Sequence, residues 1–485
     1  MEAYCVEPLE LKWSSSIPGD ERKNHRGESN QQSWLLANGL RRSTSRLRVV
    51  LDLQNHPKGR TMNASATRRE FLATSAVTVA GSMLASHVHA AGSDVIKVGL
   101  IGCGGRGSGA ADQALRADKH VKLWAMADAF EDKLQSSLEN LSTKSEIASK
   151  IDVAPERRFV GFDAYKEVIA CCDVVLLCSP PHFRPLHLRA AVDAGKHVFA
   201  EKPCAVDAPG VRAVLAACED AKKKNLSIVS GLCLRYDNGF KETVRRIHDG
   251  AIGDVVTLLA NDYRSGRPSK ARQPDWTDMQ WQMRNWYNFT WLSGDFNVEQ
   301  HVHFLDVCAW VMKNEYPISA MGLGGRQVLT GPENGHIYDH FSVVYEYANG
   351  TRLISNCRQQ PGCKSDLSAH ALGSSGRAVL SERKRGLSIH AKTDWYFSGP
   401  ENLMYQTEHD ELFASIRSGQ PINNGEYMSK SSLLAIMGRM AAYTGQLITW
   451  DMAMKSKQDL TPPKYDWNVA LPDPSVAVPG ITKFS

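Results

Sequence analysis

The sequence predicts an α/β protein, with an N-terminal doubly wound parallel sheet and a C-terminal α/β domain on an open, mainly antiparallel sheet. Three observations lead there. Apolar strands alternate with helical stretches from Asp94 to Tyr236, and a glycine-rich turn follows the first of those strands. Beyond Tyr236 the strands change to an alternating apolar and polar pattern.

The first strand, 95–101, runs into Gly102-Cys-Gly-Gly-Arg-Gly107, a G-x-G-x-x-G spacing at Gly102, Gly104 and Gly107. One glycine serves the tight turn, one the close approach of backbone to a pyrophosphate, and one the packing of helix on strand. The segment 108–117 follows as a helix whose free N–H groups face the phosphates. A second strand, 121–127, ends at Asp128, 24 positions after Gly104. That is close to the roughly 20 expected of a carboxylate that binds the adenosine ribose. A glycine turn can also merely join a strand to a helix. Here the flanking strand, the helix and the acid together favour dinucleotide binding. Further strands are expected at 173–179, 197–200 and 227–233, with helices over 184–194 and 208–224. These complete a nucleotide-binding domain over 91–236.

In the second domain, 237–460, the runs 255–264, 341–347 and 351–356 alternate, and Asn349-Gly350 reads as a hairpin turn. Amphipathic helices are expected over 403–418 and 427–446. Residues 461–485 form a proline-rich tail with little periodicity.

Charge and the N-terminus bound the function. Of the net charge of +5, residues 1–61 carry +3 and residues 62–90 carry +1, leaving +1 for the remainder. So neutral a body excludes a nucleic-acid footprint. The segment 67–90 carries Arg68 and Arg69 ahead of Phe71-Leu72, a mildly apolar run and small residues up to Ala90. It reads as a twin-arginine export signal, so the expected location is periplasmic. An amphipathic surface helix with a chance arginine pair is the competing reading. The run is too short and weakly apolar for a membrane span. Met62 stands just ahead of the arginines and is the expected start, leaving 1–61 as a non-native or disordered extension. Ten of the eleven cysteines follow Ala90, with no zinc-spaced pair, so no metal site is expected. Twin-arginine substrates fold before export, which makes disulfides unnecessary, and buried thiols such as Cys178 and Cys233 are the default.

Three constellations could carry chemistry. In Glu201-Lys202-Pro203, a lysine ends a parallel strand where ligands bind in such sheets, although a surface lysine would look the same. Glu299, His303 and Asp306 follow i, i+4, i+7 spacing on an expected helix, so Glu299 would hold and strengthen His303 as a base. A structural salt bridge is the alternative. His301 and His303 point apart on such a helix. Four tryptophans, Trp276, Trp281, Trp286 and Trp291, crowd a segment without evident period, with Arg284, Asn285 and Asn288 between them. Aromatic faces with polar neighbours suit a carbohydrate ring, and equally a subunit interface.

These motifs together resemble the glucose–fructose oxidoreductase / inositol dehydrogenase (Gfo/Idh/MocA) family. The matching pieces are 102–107, Ser179-Pro-Pro-His182, 194–203 and the acid-x-x-x-His element at Glu299 and His303. The resemblance spans nearly all of 94–455; the export signal, the tryptophan-rich loop and Thr444 to Asp451 look like its exported bacterial branch. It implies a Rossmann domain, an open sheet that commonly forms the oligomer interface, and bound NAD. It also implies Lys202 on the substrate hydroxyl and His303 as acid/base. Members often have Asp where this chain has Glu299. The implied catalytic set is Lys202, His303 and Glu299. The cofactor set is Gly102, Gly104, Gly105, Arg106, Gly107, Asp128, Ser179, Pro180, His182, Glu201 and Lys202. Arg235, Tyr236, Tyr263, Arg284, Trp286, Tyr287, Trp291 and Asp306 are expected to contact the substrate. The implied activity is an NAD-dependent oxidoreductase acting on a sugar or polyol, as a homo-oligomer. An NAD-dependent glycosidase and a cofactor-bearing sugar-binding protein are the alternatives.

Overall fold

Six strands, β1 (Ile96–Ile101), β2 (Val121–Asp128), β3 (Arg158–Val160), β4 (Val174–Leu177), β5 (His197–Ala200) and β6 (Ile228–Ser230), form a parallel sheet. Their order is β3-β2-β1-β4-β5-β6, so the chain reverses direction across the sheet between β1 and β4. In such sheets ligands bind outside the carboxyl ends of the strands at that switch point. Val98, Leu100 and all of β4 are buried, as expected of strands covered on both faces. This computed structural model describes residues 94–382, 386–471 and 474–485; the expected extension 1–61 and export signal 62–90 lie outside the described residues.

Local chemistry places the helices. Asp207 caps Ala208–Lys223 by accepting from the N–H of Gly210, and Asp237 caps Asn238–His248 through Gly239 and Phe240. Gly419 and Gly445 take the left-handed conformation that ends Met404–Ser418 and Gly425–Thr444. β4 and β6 are shorter than expected, because Ser179-Pro-Pro and Gly231 follow them. Cys178 therefore lies just past β4, and Cys233 opens a 3₁₀ turn. Ten cysteines are described and all are free.

Nine strands make the second sheet: β7 (Val255–Arg264), β8 (Ser319–Gly325), β9 (His340–Glu346), β10 (Arg352–Gln359), β11 (Asp366–Gly373), β12 (Arg377–Ser381), β13 (Ser388–His390), β14 (Trp395–Tyr396) and β15 (Ile448–Thr449). The order is β14-β13-β12-β11-β7-β10-β9-β8-β15, and only β7 and β10 pair in parallel. Alternation along β9 and β10 buries one face and leaves the other open, with Met321, Leu323 and Val344 exposed. Gly425–Thr444 departs from its expected amphipathic pattern and is buried nearly all round. It lies between the second sheet and Ala208–Lys223 of the first domain, so both sides meet protein.

The tryptophan-rich segment is also helical rather than irregular. Asp278–Arg284, a 3₁₀ turn Trp286–Asn288 and Thr290–Ser293 follow one another. Elements this short show no readable period. The available signal was the capping box: the Thr277 hydroxyl accepts from the Gln280 N–H, and the Gln280 side chain accepts from the Thr277 N–H.

Candidate active site

A cleft of about 580 Å³ opens at the switch point, between the glycine loop and the tryptophan-rich helices. That size is ordinary for a small-ligand site. Gly102 (φ +96°) occupies the left-handed region, and a Cβ there would lie 2.3 Å from the Ser179 nitrogen. A Cβ on Gly107 would lie 1.9 Å from the Gly102 carbonyl oxygen. These two glycines let protein pack on protein. Gly104 and Gly105 differ: a Cβ on either meets no protein atom within 4 Å, and both line the cleft. The helix Gly105–Ala117 has no side-chain cap and no acid in its first turn, so its leading N–H groups are free to bind an anion.

Asp128, at the end of β2, accepts from the Cys103 N–H at 2.7 Å and the Phe130 N–H at 2.9 Å, one on each oxygen. A lone pair remains on each oxygen for ribose hydroxyls. Burial pushes its carboxyl up, against the pull of those two N–H bonds. Open glycines, an uncapped helix start and a free-sided carboxylate fit a dinucleotide.

The far end of the cleft holds Lys202, Glu299 and His303. Arg184, fully buried, positions the lysine. Its guanidinium donates to the carbonyls of Leu177 at 2.7 Å and Glu201 at 2.8 Å, tying the ends of β4 and β5. The Lys202 ammonium donates to the Glu299 carbonyl at 2.5 Å and to its carboxylate at 3.1 Å. Glu299 therefore serves Lys202, and the expected Glu299–His303 partnership is not formed. The helices Phe296–Glu299 and Val302–Val311 are separate, and i→i−3 bonds from His303 to Gln300 and Phe304 to His301 tighten the turn between them. Four-residue spacing no longer keeps one face. The imidazole lines the cleft with its Nδ1 unpartnered among the described residues. Burial, then Lys202 and Arg264, hold its pKa well below the ordinary value, so it is neutral and able to accept a proton.

Of the other expected cofactor residues, Arg106, Ser179, Pro180 and Glu201 line the cleft. His182 does not: burial takes its pKa down to about 4, and its Nε2 pairs with the Tyr465 hydroxyl at 2.8 Å. His187 lines the cleft instead, with Nδ1 3.2 Å from the Ser179 hydroxyl.

The substrate set divides. Arg284, Trp286 and Tyr287 line the cleft. Arg284 forks onto Asp132 at 2.8 and 3.0 Å and covers the Phe130 ring at 4.0 Å, joining the two domains beside Asp128. Trp291 is buried behind them, its indole N–H donating to the Gln282 side-chain Oε1 at 2.7 Å. Arg235, Tyr236, Tyr263 and Asp306 do not reach the cleft. Tyr263 lies on the second sheet beneath Arg358, beside a shallow depression. Tyr236 is buried and donates to Asn424 at 2.7 Å. Arg235 forks onto Asp306 with both bonds at 2.8 Å, and Ser431 donates to the same carboxylate. The two charges stand 71 residues apart and neutralise each other inside the protein. Arg235→Ala is therefore expected to cost about 3–5 kcal/mol, since it strands a buried carboxylate. A urea denaturation series reads this directly, and a loss within 1 kcal/mol would mark the pair as dispensable.

Sequence reading missed an aromatic wall. Phe130, Phe162 and Phe183 line the cleft, and the tail 461–471 packs behind them. Trp467 lies 4.4 Å from Phe162 and 5.0 Å from Phe130, centroid to centroid. The tail also holds the tryptophan-rich helices, through Leu471 N–H to Asp278 and Gln282 to the Leu471 carbonyl. No local pattern announces such a wall, because its rings come from four separate segments.

A glycine loop beside the Asp128 carboxylate, with a lysine and a neutral histidine in the same cleft, is the arrangement of a two-domain nicotinamide-dependent oxidoreductase. Residues 96–229 match the oxidoreductase family with the NAD-binding Rossmann fold, Gfo/Idh/MocA. Inositol 2-dehydrogenase of Rhizobium meliloti is 28% identical over 325 residues, covering 66% of this chain and 86% of that protein. 2,7-Anhydro-N-acetylneuraminate hydratase of Escherichia coli is 26% identical over 178 residues, 37% of this chain and 43% of that protein. Among solved structures, levoglucosan dehydrogenase in complex with NADH and levoglucosan superposes with a TM-score of 0.58. It is 17% identical and spans 73% of this chain and 99% of its own, a likeness of fold. The chain belongs to the Gfo/Idh/MocA family of oxidoreductases.

Proposed function

We propose that the protein transfers hydride between a carbinol carbon of a sugar or polyol and a tightly held NAD. The observation that carries this reading is the gathering of Lys202, Glu299 and His303 at the end of the cleft away from Asp128. Bound NAD supplies the hydride acceptor. The chain supplies the rest. Lys202, steadied by Glu299, polarises the reacting oxygen; neutral His303 takes its proton; Trp286 and Tyr287 offer flat faces to the ring's C–H surface. The inositol 2-dehydrogenase relative supports a polyol or sugar as substrate.

The twin-arginine reading adds export to the periplasm, and the open face of the second sheet suits a homo-oligomer. Outside the cytoplasm no soluble NAD pool exists to exchange with. The cofactor then travels with the protein and must be restored within each cycle. Retention for hours calls for affinity beyond micromolar, about −8 kcal/mol or stronger. Two redox-neutral outcomes follow: one sugar oxidised while another is reduced, or oxidation, elimination, hydration and re-reduction of one glycoside. The second is the alternative reading, and the hydratase relative bears on it in that its name describes addition of water.

Protein purified without added cofactor is expected to release NAD or NADH on denaturation, near one per chain, and to turn over sugars or aryl glycosides without added NAD. Empty protein active only with millimolar NAD would return the reading to an exchanging dehydrogenase. Binding of NAD and sugar without turnover would make it a sugar-binding protein.

A further inference from the structure

At the Lys202 end of the cleft, with only Glu408 set behind its lining, lies a charge cluster that the reaction above does not use. Arg106, from the glycine loop, stands with Nε 2.6 Å from the Glu201 carboxylate and Nη2 3.8 Å from that of Glu408. The Glu201 contact is charge on charge, since the Nε–H points aside from the oxygen. Arg106 also donates to Gln113 at 2.7 Å and lies over the Tyr405 ring. Glu201 is pinned: its other oxygen accepts from the Lys202 N–H at 3.2 Å, and a Cβ on Gly231 would come within 2.7 Å of it. Glu408 sits in Met404–Ser418 with 0% exposure, and neither oxygen has a hydrogen-bond partner among the described residues.

Charge counting sets the protonation. Two buried carboxylates lie against one guanidinium that is itself 32% exposed at the cleft, and a bare carboxylate without hydrogen bonds is costly to bury. Arg106 lies nearer Glu201, so the surplus acid is Glu408, and burial followed by Glu201 holds its pKa well up. The buried Arg184 guanidinium also acts on Glu201, whereas Arg106 is the cation that acts on Glu408. His409 is buried against Phe199, with burial and then Arg106 keeping it neutral. The thiols of Cys178 and Cys233 and the phenols of Tyr236, Tyr405 and Tyr427 all titrate above their ordinary values.

Glu201 and Lys202 are consecutive. Hydride can pass only where nicotinamide and substrate carbon meet, so the cluster stands at the nicotinamide end. Oxidised nicotinamide is a cation and the reduced ring is neutral. We propose that Glu408 is a positioning residue that holds a proton behind the Arg106–Glu201 pair, and that its charge sets the preference of the cleft for NAD⁺ over NADH. With the proton in place Glu408 adds no charge. Without it, one buried negative charge favours the cationic form, and Arg106 is drawn away from Glu201. The inference rests on the nicotinamide reading of the cleft, and not on the identity of the sugar.

The test loads the full-length protein with NAD⁺ or NADH and measures both release rates from pH 6 to pH 10. In the wild type the ratio of NADH release to NAD⁺ release is expected to rise with pH by about tenfold, the scale of one extra charge about 12 Å away at an effective dielectric of about 20. In Glu408→Gln, which keeps shape without charge, the ratio should stay flat. A flat ratio in the wild type overturns the proposal whatever the variant does, and so does an equal rise in a folded Glu408→Gln protein. Absence of any dinucleotide binding would overturn the nicotinamide reading and this inference with it. A flat ratio with intact binding overturns this inference alone.

Discussion

His303→Ala and Lys202→Ala are each expected to lower turnover by roughly 10²-fold or more, the usual scale for losing general acid–base help. NAD binding should remain nearly intact, because neither side chain belongs to the glycine loop or touches Asp128. The two variants should differ in kind. Removing the imidazole takes away the group that accepts the proton. Removing the ammonium also frees the Glu299 carboxylate, which now meets it at 3.1 Å. Lys202→Ala thereby places an uncompensated anion beside the reacting oxygen and should be the more damaging. Steady-state kinetics with a competent sugar, beside a count of bound NAD, checks both. Activity of both variants within a few-fold of wild type would reassign the pair to structure. The pH profile carries a sign. His303 is held below its ordinary pKa, so it stays neutral as pH falls through 6.5 and protonates only at lower pH. The acid limb of kcat/KM should lie below pH 6.5. A limb above that value would assign the base elsewhere.

Two alanine substitutions in the glycine loop should separate folding from binding. Gly107→Ala drives a Cβ to 1.9 Å from the Gly102 carbonyl, backbone against backbone, so the helix Gly105–Ala117 must move off β1. Overpacking of this kind costs about 1–3 kcal/mol, and the loop loses its shape with it. Gly104→Ala meets no protein atom, and φ of −71° suits any residue. Stability should hold, or rise by about 0.4–1 kcal/mol from lost freedom in the unfolded chain. Yet the new methyl stands where backbone should approach pyrophosphate, and NAD affinity should fall by roughly 100-fold, about 2.7 kcal/mol. Thermal melting and cofactor content distinguish the two. Full NAD occupancy in Gly104→Ala would show that phosphates do not use this loop.

What could be read in advance depended on how far apart in the chain the interacting groups lie. β1, the glycine loop and Asp128 form one contiguous unit, and local pattern suffices to place them. β7 matches its expected span because its alternation is long enough to show a period. Lys202 and His303 were legible one at a time. Their relation was not, because the expectation of a Glu299–His303 pair assumed an unbroken helix that the Gln300–His301 turn interrupts. Arg235 and Asp306 looked like binding residues since a charge reads alike whether it meets a ligand or a partner 71 positions away. Glu408 and His409 lie in a stretch read only as an amphipathic helix, for burial in Met404–Ser418 depends on what packs over it. The tail was legible only as a proline-rich stretch with little periodicity, whereas its rings complete a wall begun by Phe130 and Phe162.

That tail bears on the order of events during synthesis. The six strands of the first sheet are complete by Ser230, whereas Tyr465, Trp467 and Leu471, which close the layer behind the cleft and fasten the helices above it, emerge from the ribosome much later. The Rossmann sheet can therefore form while translation continues, but its cleft gains a back wall only once the segment 461–471 has emerged and docked. A nucleotide arriving earlier would meet a half-built pocket open at the back.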